Sequence, residues 1–385
     1  MRTLTLVLPG DPLTATGGYE YDRRMLEGLR DLGWSTQVVA LDSSFPVPTA
    51  EALRDAERQL AAFPAGSLVM IDGLALGAMP DLVHAHKDRL CLVGLVHHPL
   101  AAETGLAPQL ASRLFESERH ALRAMRHVVV TSRTTRRALA AYEIASDRIA
   151  VAEPGVDQPR INQPRIDQPP VDQPCLEQTV QQIAGSKGQI EGASTPVRML
   201  CVATLTPRKG HDLLMDALAP LSDVNWTLTC VGDITRSPAT ADALKMRIHA
   251  AGWEDRVKVT GEIGETELLH AFRNADLFVL ATRLEGYGMA VAQALAHGLP
   301  IISTRTGAIS ELVPPDAGLL VEPDDQAAFS DALSRSLSDA DFRRRLTEGA
   351  RAAGARLPSW SAAARQLSDI LGGMTSAHSN SGSLQ

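Results

Sequence analysis

Several residues that could do chemistry lie in a glycine-rich turn that leads into a helical pattern. It reads LEGYGMAVAQAL from Leu284 to Leu295 and places the carboxylate of Glu285 beside two glycines. Glycines let a backbone approach a ligand closely, and the start of a helix offers unpaired N–H groups at the positive end of its dipole. The turn therefore predicts a site for a diphosphate. A tight strand-to-helix connection without chemistry is the alternative.

The stretch ATLTPRKGHDLL at 203–214 also joins a strand to a helix. Arg208 and Lys209 would lie beside the same crevice, where their charges could neutralise a leaving phosphate. Basic residues in such a connection are often only surface charges. The position of this segment relative to Glu285 therefore decides whether it is functional.

Two stretches in the first half of the chain could contribute to the same kind of site. The first strand ends in PGDPLTATGGYEYD, where Gly17 and Gly18 precede a helix and could contact an anion or a sugar through the backbone. The fourth strand ends in VHHPLAAETG and brings His97 and His98 to the edge of the sheet. Either imidazole could hydrogen-bond a substrate hydroxyl or share charge in a transition state. A third metal ligand is missing nearby in the sequence, so no metal site is expected.

Strand-like runs alternate with helical patterns along most of the chain, and this alternation predicts βαβ units with ligands at the carboxyl ends of parallel strands. Units of VDQPR, INQPR, IDQPP and VDQP interrupt it at 156–174, and proline at that density excludes helices and sheet ladders. The predicted fold is α/β, with two Rossmann-like domains that face each other across a cleft. The predicted segments are an N-terminal domain at 1–155, a Pro/Gln-rich linker at 156–195, a C-terminal domain at 196–358, a helix at 359–372 that packs back towards the N-terminal domain, and a disordered tail at 373–385.

The composition excludes several classes of protein. The 385 residues are too many for one ordinary core, and the net charge of −8 argues against nucleic-acid binding. No apolar run approaches about 18 residues, and the N-terminus is a short strand rather than a signal peptide, so a cytoplasmic protein is expected. The spacing of the cysteines favours buried free thiols over a zinc site or a disulfide framework. These cysteines are Cys91, Cys175, Cys201 and Cys230.

Taken together, these stretches resemble family 4 of the glycosyltransferases, retaining enzymes with the GT-B fold, over nearly the whole chain outside the linker and the tail. The family's Glu-x7-Glu motif reads EGYGMAVAQALAHGLPII here, with Gln293 in place of the second Glu. RKGHDLL resembles the family's phosphate-binding segment, AEPGVD the end of its N-terminal domain, and TGAISELV with GLLVEPDD its late C-terminal signature. Ala203 and Thr204 occupy the places of a Gly and an Arg in the family pattern GRLxxxKG, and Arg208 could supply the missing charge.

The resemblance implies transfer of a hexose from a nucleoside diphosphate sugar, UDP- or GDP-linked, to an acceptor hydroxyl with retention at the anomeric carbon. The donor would be held mostly by the C-terminal domain. The N-terminal domain would hold most of the acceptor, which could be a small molecule, a glycan or a lipid. Peripheral attachment to a membrane is compatible with the resemblance. No metal or other cofactor is implied. A non-catalytic nucleotide-sugar-binding protein of this fold and a nucleotide-sugar epimerase or hydrolase are the alternatives.

The resemblance also assigns roles to individual residues. Glu285 would lie by the donor sugar, Arg208 and Lys209 would contact the diphosphate, and one of the two histidines would contact the sugar. The remaining donor contacts that it implies are Gly17 or Gly18 at the phosphates, Glu262 and Ile263 at the base, and the amides of Gly286, Tyr287, Gly288 and Met289 at sugar hydroxyls or phosphate.

Gln293 would lie at the ribose end of the donor, where the family's second Glu accepts hydrogen bonds. The amide keeps one acceptor but loses the charge, a difference of about 1 kcal/mol. Gln293→Glu is therefore expected to tighten or alter nucleotide binding without changing the product.

Overall fold

The computed structural model of the protein describes residues 2–14, 16–158 and 195–381. Most of the predicted linker, together with Cys175, lies outside these residues. Two six-stranded sheets confirm the predicted α/β architecture with two Rossmann-like halves. The neighbouring strands in both sheets are parallel, so each sheet gathers its strand ends along one edge.

The N-terminal half alternates strands and helices. Its strands are β1 (Arg2–Pro9), β2 (Trp34–Leu41), β3 (Leu68–Asp72), β4 (Cys91–Val96), β5 (His127–Val130) and β6 (Ile149–Val151). Its helices are α1 (Gly17–Asp31), α2 (Ala50–Ala62), α3 (Gly73–Leu76), α4 (Pro80–His86), α5 (Pro108–Ala124) and α6 (Arg133–Ala138). The sheet order is β2-β1-β3-β4-β5-β6. β4 is buried at every position, which is why its sequence CLVGLV is a continuous apolar run instead of an alternation.

The C-terminal half repeats this plan. Its strands are β7 (Val197–Val202), β8 (Trp226–Val231), β9 (Val257–Gly261), β10 (Leu277–Leu280), β11 (Ile301–Thr304) and β12 (Gly318–Val321). Its helices are α7 (His211–Leu218), α8 (Pro238–Ala250), α9 (Glu265–Asn274), α10 (Met289–Ala296), α11 (Ile309–Leu312), α12 (Gln326–Ser338) and α13 (Ala340–Gly354). The sheet order is β12-β11-β10-β7-β8-β9, and one core with Trp226, Phe278 and Phe329 holds the helices against it.

The chain runs between the two halves at two adjacent places. Val156, which follows β6 and leads towards the linker, donates its N–H to the carbonyl of Pro358 at 2.9 Å. The same residue pairs with Ser359 in an isolated parallel bridge. The segment that leaves the N-terminal half and the segment that returns to it are therefore hydrogen-bonded to each other.

The returning segment continues as α14 (Trp360–Ser381), which packs on α1. Leu367 and Leu371 are buried in one core with side chains of β1 and α1. Trp34 Nε1 donates to Ser368 Oγ at 2.9 Å. The last helix of the chain is thus a structural part of the N-terminal half.

This helix is longer than its sequence pattern predicts. The pattern ends it at 372 and assigns 373–385 to a disordered tail, whereas α14 continues to Ser381. Met374 is buried in the core shared with α1, so packing carries the helix past the two glycines that mark its predicted end. The tail assignment was wrong for 373–381, and 382–385 lie outside the described residues. Neither α14 nor another helix in the described part of the chain is long and apolar enough to cross a membrane.

A buried carboxyl group on α5 supports the loop that follows β4. Glu118 is fully buried, and its Oε2 accepts from the backbone N–H of Leu100 at 2.9 Å. Burial raises the pKa of Glu118 to about 7. The hydrogen bonds with the Leu100 N–H and the Tyr142 hydroxyl lower the pKa, but burial has the larger effect. Because the folded state binds this proton more tightly than the unfolded chain does, stability falls as the pH rises from about 4.5 to 7.

Glu118→Gln should remove this loss of stability, because the amide can still accept from Leu100 N–H and never ionises. We compare the free energy of unfolding of the variant with that of the wild type at each pH. The difference in favour of the variant should grow by about 2 kcal/mol from pH 5 to pH 8. Urea unfolding at the two pH values measures it. Glu348→Gln, at an exposed position on α13, is the matched control and should follow the wild type. Parallel pH dependences of Glu118→Gln and the wild type would contradict the prediction.

Candidate active site

A cleft of about 1130 Å³ lies between the edges where the strands of the two sheets end. Residues that the sequence singles out as catalytic or donor-binding line it from both halves. They are Gly17, Gly18, His97, His98, Arg208, Lys209, Glu262, Ile263, Glu285, Gly286, Tyr287, Gly288, Met289 and Gln293. Segments that are far apart in the sequence thus meet at one place, as carboxyl ends of parallel strands do.

Lys209 and Glu285 form a nearly buried ion pair in this cleft. Lys209 Nζ donates to Glu285 Oε1 at 2.5 Å, and the Thr282 hydroxyl donates to the same oxygen at 3.1 Å. The two charged side chains are 16% and 9% exposed. Burial alone would raise the pKa of Glu285, but the charges of Lys209 and Arg208 together with these hydrogen bonds hold it below its usual range. The site therefore keeps an ionised carboxylate against a cation.

The loops after β7 and β10 hold this pair by packing backbone on backbone. Gly210 has a φ of 67°, and a Cβ built on it would lie 1.9 Å from the carbonyl oxygen of Ala281. Any other residue would separate the loops at this point. The N–H of Arg283 donates to the carbonyl of Arg208 at 2.8 Å. The spacing between Lys209 and Glu285 is thus set by main-chain contacts.

Arg208 links the two halves. Its Nη1 donates to the Leu284 carbonyl at 2.8 Å, and its Nε lies 3.3 Å from Oε1 of Glu103. The other oxygen of Glu103 lies 3.3 Å from His98 Nε2. Burial would raise the pKa of Glu103, but the hydrogen bond with His98 and the charge of Arg208 lower it to about 2. His98 is therefore tied to this ionised bridge.

Backbone contact also joins the halves at His97. A Cβ on Gly286 would lie 2.4 Å from the His97 carbonyl oxygen, so only glycine fits there. The Ser132 hydroxyl, from the N-terminal half, donates to the Gly286 carbonyl at 3.0 Å. The hydroxyls of Thr131 and Thr135 donate to the His97 carbonyl at 3.3 and 3.1 Å. The turn that carries Glu285 thus rests on the loop that carries His97.

The His97 ring faces two buried carboxylates. Its Nε2 lies 3.5 Å from Oδ1 of Asp22 on α1 and 3.5 Å from Oδ2 of Asp72 at the end of β3. Burial raises the pKa of Asp72 to about 6 despite the charge of His97. Burial would lower the pKa of His97, but the nearby carboxyl groups of Asp22 and Asp72 raise it. The two histidines therefore have different partners.

Three carboxylates of this arrangement were not among the residues singled out from the sequence. Asp72 is the last residue of the buried strand β3 in LVMIDG, and that position is a signal that could have identified it. Glu103 lies within HHPLAAETG, but its sequence position does not show that it meets Arg208. Asp22 carries no sequence signal, because only the packing of α1 on the sheet brings it to His97.

Gln293 lines the cleft, but its side-chain amide is engaged with the start of the linker. Its Nε2 donates to the Asp157 carbonyl at 3.0 Å, and its Oε1 accepts from the Asp157 N–H at 3.2 Å. The carboxylate of Asp157 in turn pairs with Arg24 of α1. A contact between Gln293 and a ribose stays a prediction. The observed role of this amide is to connect α10 with the segment that runs between the halves.

Tyr287 contributes its ring to the protein interior. The ring belongs to a buried cluster with Val156, Ala292 and Ala308. A ligand contact at this position would therefore use the backbone, as the predicted amide contact requires.

Two clusters in the described part of the chain bring potential metal ligands together. Asp22, Asp72 and His97 form one of them. The other consists of Cys201, His211 and Cys230, although the sequence spacing argues against a zinc site at these cysteines. Cys201 and Cys230 are buried, free, and opposite each other on β7 and β8. That the protein works without a metal stays a prediction.

Comparison with known proteins gives two matching family models. The model described as Glycosyltransferase Family 4 matches residues 20–160, and the model described as Glycosyl transferases group 1 matches residues 186–353. A D-inositol 3-phosphate glycosyltransferase of Xylanimonas cellulosilytica is 32% identical over 163 residues, which cover 42% of this chain and 39% of that protein. The lipopolysaccharide core biosynthesis mannosyltransferase LpsB of Rhizobium meliloti is 33% identical over 145 residues, 36% of this chain and 41% of that protein. The match thus spans about two fifths of each relative's length.

Solved structures with the same fold cover the whole length. Sucrose-phosphate synthase from Thermosynechococcus elongatus aligns with a TM-score of 0.77 at 19% identity, over 98% of this chain and 100% of that one. HepE of Anabaena in complex with UDP-glucose aligns with a TM-score of 0.70 at 16% identity, over 96% of this chain and 99% of that one. The GT-B arrangement predicted from the sequence is confirmed.

Lys209→Met should be strongly destabilising, because it leaves the Glu285 carboxylate buried without its cation. We expect the free energy of unfolding to fall by about 3 kcal/mol, and the double variant with Glu285→Gln to recover much of this. Urea unfolding of the wild type, both single variants and the double variant measures the coupling. Lys245→Met is the control, since its ion pair with Asp242 is 59% and 70% exposed and should contribute less than about 1 kcal/mol. Additive effects of the two substitutions would contradict the prediction.

Gln293→Glu should lower stability, because a carboxylate cannot donate to the Asp157 carbonyl and would repel the carboxylate of that residue. We expect a loss of about 1 to 2 kcal/mol in the free energy of unfolding and no gain in nucleotide affinity. Gln326→Glu is the matched control, since that amide donates to a carbonyl at an exposed site. The free energy of unfolding and the affinity for UDP and GDP are measured for both variants. A Gln293→Glu protein that is as stable as the wild type and binds nucleotide more tightly would support the ribose contact instead.

Proposed function

We propose, from the premise that this chain belongs to glycosyltransferase family 4, that it transfers a hexose from a nucleoside diphosphate sugar to an acceptor hydroxyl with retention at the anomeric carbon. The observation that carries the proposal is the buried pair of Lys209 and Glu285 in a cleft large enough for a nucleotide sugar. In this pair, the Lys209 cation that would bind the diphosphate lies beside the Glu285 carboxylate that would face the sugar.

The C-terminal half would hold the donor. Arg208 and Lys209 would neutralise the charge that develops on the leaving nucleoside diphosphate. The start of α10 after Gly288 adds backbone N–H groups to this end of the cleft. Because these groups supply positive charge, we propose that the leaving group would depart without the help of a metal ion.

Glu285 would stabilise the sugar as its bond to the diphosphate breaks. An ionised carboxylate favours positive charge at the anomeric carbon, and the lowered pKa of Glu285 keeps it in that form. The acceptor hydroxyl would attack from the face that the diphosphate leaves, and a phosphate oxygen would take its proton. Such a reaction retains the anomeric configuration without a second carboxylate acting as base.

The donor class has support from similar structures. HepE of Anabaena binds UDP and UDP-glucose in structures that share this fold. LpsB is described as a mannosyltransferase. We therefore propose a UDP- or GDP-linked hexose as the donor, and a hydroxyl of a small molecule, glycan or lipid in the N-terminal half of the cleft as the acceptor site.

Glu285→Gln should abolish most of the activity while nucleotide binding persists, because the amide removes the charge and keeps the shape. We expect kcat to fall by about 100- to 1000-fold. The assay incubates the protein with labelled UDP- and GDP-hexoses and a mixed pool of acceptors, and follows glycoside formation and its anomeric configuration by NMR. Glu348→Gln on the exposed face of α13 is the control and should keep full activity.

The alternative functions give different results in this assay. Donor consumption without a glycoside product would indicate a hydrolase or an epimerase. Nucleotide binding without any turnover, unchanged in Glu285→Gln, would indicate a binding protein. A product of inverted configuration would contradict the proposed mechanism but not the transfer itself.

A further inference from the structure

Glu103 faces the proposed diphosphate-binding residues from the opposite half of the cleft, and the proposed mechanism gives it no role. We propose that Glu103 limits the affinity of the site for the donor, because its carboxylate competes with the diphosphate for the guanidinium of Arg208 and is displaced when the diphosphate binds. This inference rests on the proposed function, in which Arg208 contacts the diphosphate.

The two cations proposed for the diphosphate differ in how firmly they are paired. Lys209 Nζ lies 2.5 Å from Oε1 of Glu285 in the same half, and these side chains are 16% and 9% exposed. Arg208 Nε lies 3.3 Å from Oε1 of Glu103 in the other half, and these side chains are 24% and 38% exposed. Water screens the longer and more exposed pair, so that pair is weaker. Glu103 is therefore the carboxylate that an incoming anion can displace.

Arg208 is held in place by its own half and does not depend on Glu103. Its Nη1 donates to the Leu284 carbonyl at 2.8 Å, and its backbone carbonyl accepts from the N–H of Arg283 at 2.8 Å. A guanidinium carries five N–H donors in a rigid fork, so Arg208 can bind phosphate oxygens while it keeps the Leu284 contact. Exchange of the carboxylate for a phosphate thus leaves the loop that carries Lys209 unchanged.

Glu103 also keeps partners of its own after such an exchange. Its Oε1 accepts from the backbone N–H of Thr104 at 3.0 Å, and its Oε2 lies 3.3 Å from Nε2 of His98. Burial raises the pKa of Glu103, but the hydrogen bond with His98 and the charge of Arg208 lower it to about 2. The group is therefore an anion at neutral pH, and it competes with a phosphate for the same cation.

The competition matters most for the nucleoside diphosphate that remains after transfer. Cleavage of the bond to the sugar leaves the terminal phosphate with an additional negative charge, which binds a guanidinium more tightly than the sugar ester does. Glu103 and Arg208 line the same cleft, so the carboxylate can return to the guanidinium and favour release of this product.

Calorimetric titration of the full chain with inorganic pyrophosphate, UDP and uridine measures the competition. Glu103→Gln removes the charge and keeps the size of the side chain. We expect pyrophosphate and UDP to bind about fivefold more tightly than to the wild type, the gain that loss of a partly exposed ion pair allows. Uridine carries no phosphate, so its affinity should stay unchanged.

Glu116→Gln is the matched control. It removes the same charge from a Glu–Arg pair with Arg119 on α5, where the Glu116 side chain is 57% exposed. All three ligands should bind this variant as they bind the wild type. Glu103→Ala is a second test variant, and it should show the same gain for pyrophosphate and UDP as Glu103→Gln.

Arg208→Met separates direct competition from a general effect of charge in the cleft. In this background, Glu103→Gln should change the affinity for pyrophosphate and UDP by less than about twofold, because the cation for which the two anions compete is missing. An equal gain in both backgrounds would overturn the inference. Unchanged or weaker binding of pyrophosphate in Glu103→Gln and Glu103→Ala would overturn it as well.

The transfer assay distinguishes failure of this inference from failure of the proposed function. Glycoside formation together with equal UDP affinity of the wild type and Glu103→Gln would overturn the competition and leave the proposed function in place. Tighter pyrophosphate binding to Glu103→Gln without any transfer would contradict the proposed function and support the competition. If neither pyrophosphate nor UDP bound to either protein, both would be contradicted.

Discussion

The ion pair between Lys209 and Glu285 constrains the rest of the cleft. Both charges are largely shielded from water, so each is stable only while the other stays within contact distance. That distance is maintained by the loops after β7 and β10, whose backbones touch where Gly210 meets Ala281. A strand shift in this half would separate the charges, and the core around Trp226 and Phe278 prevents such a shift.

The two halves meet through groups that belong to the site itself. Gly286 rests on the carbonyl of His97, and Arg208 reaches Glu103. A movement that opens the cleft must therefore break contacts made by the residues proposed to bind the donor. In the proposed function, donor binding would therefore be coupled to the relative position of the halves, since the same side chains would contact both the donor and the other half.

The sequence predicted the strand-end residues well, because a parallel sheet with helical crossovers places successive loops on one edge. The meeting of Glu285, Lys209 and the two histidines, His97 and His98, at one cleft could be predicted for this reason, whereas their roles stay predictions. It did not predict the partners of Gln293 and His97, since Asp157 and Asp22 reach them through the packing of the two halves and of α1. The end of α14 was also missed, because burial of Met374 outweighs the local weakness of a glycine pair.

The chain passes between the two halves twice, at adjacent places, and this arrangement decides how the protein would respond to a single cut in its backbone. Val156 and Ser359 lie side by side, and α14 belongs to the core of the N-terminal half although it comes last in the sequence. The two halves therefore share two covalent connections. A protease that cut once between 159 and 194 would produce two polypeptides, and the fragment with the C-terminal half would stay bound to the other through the packing of α14 on α1.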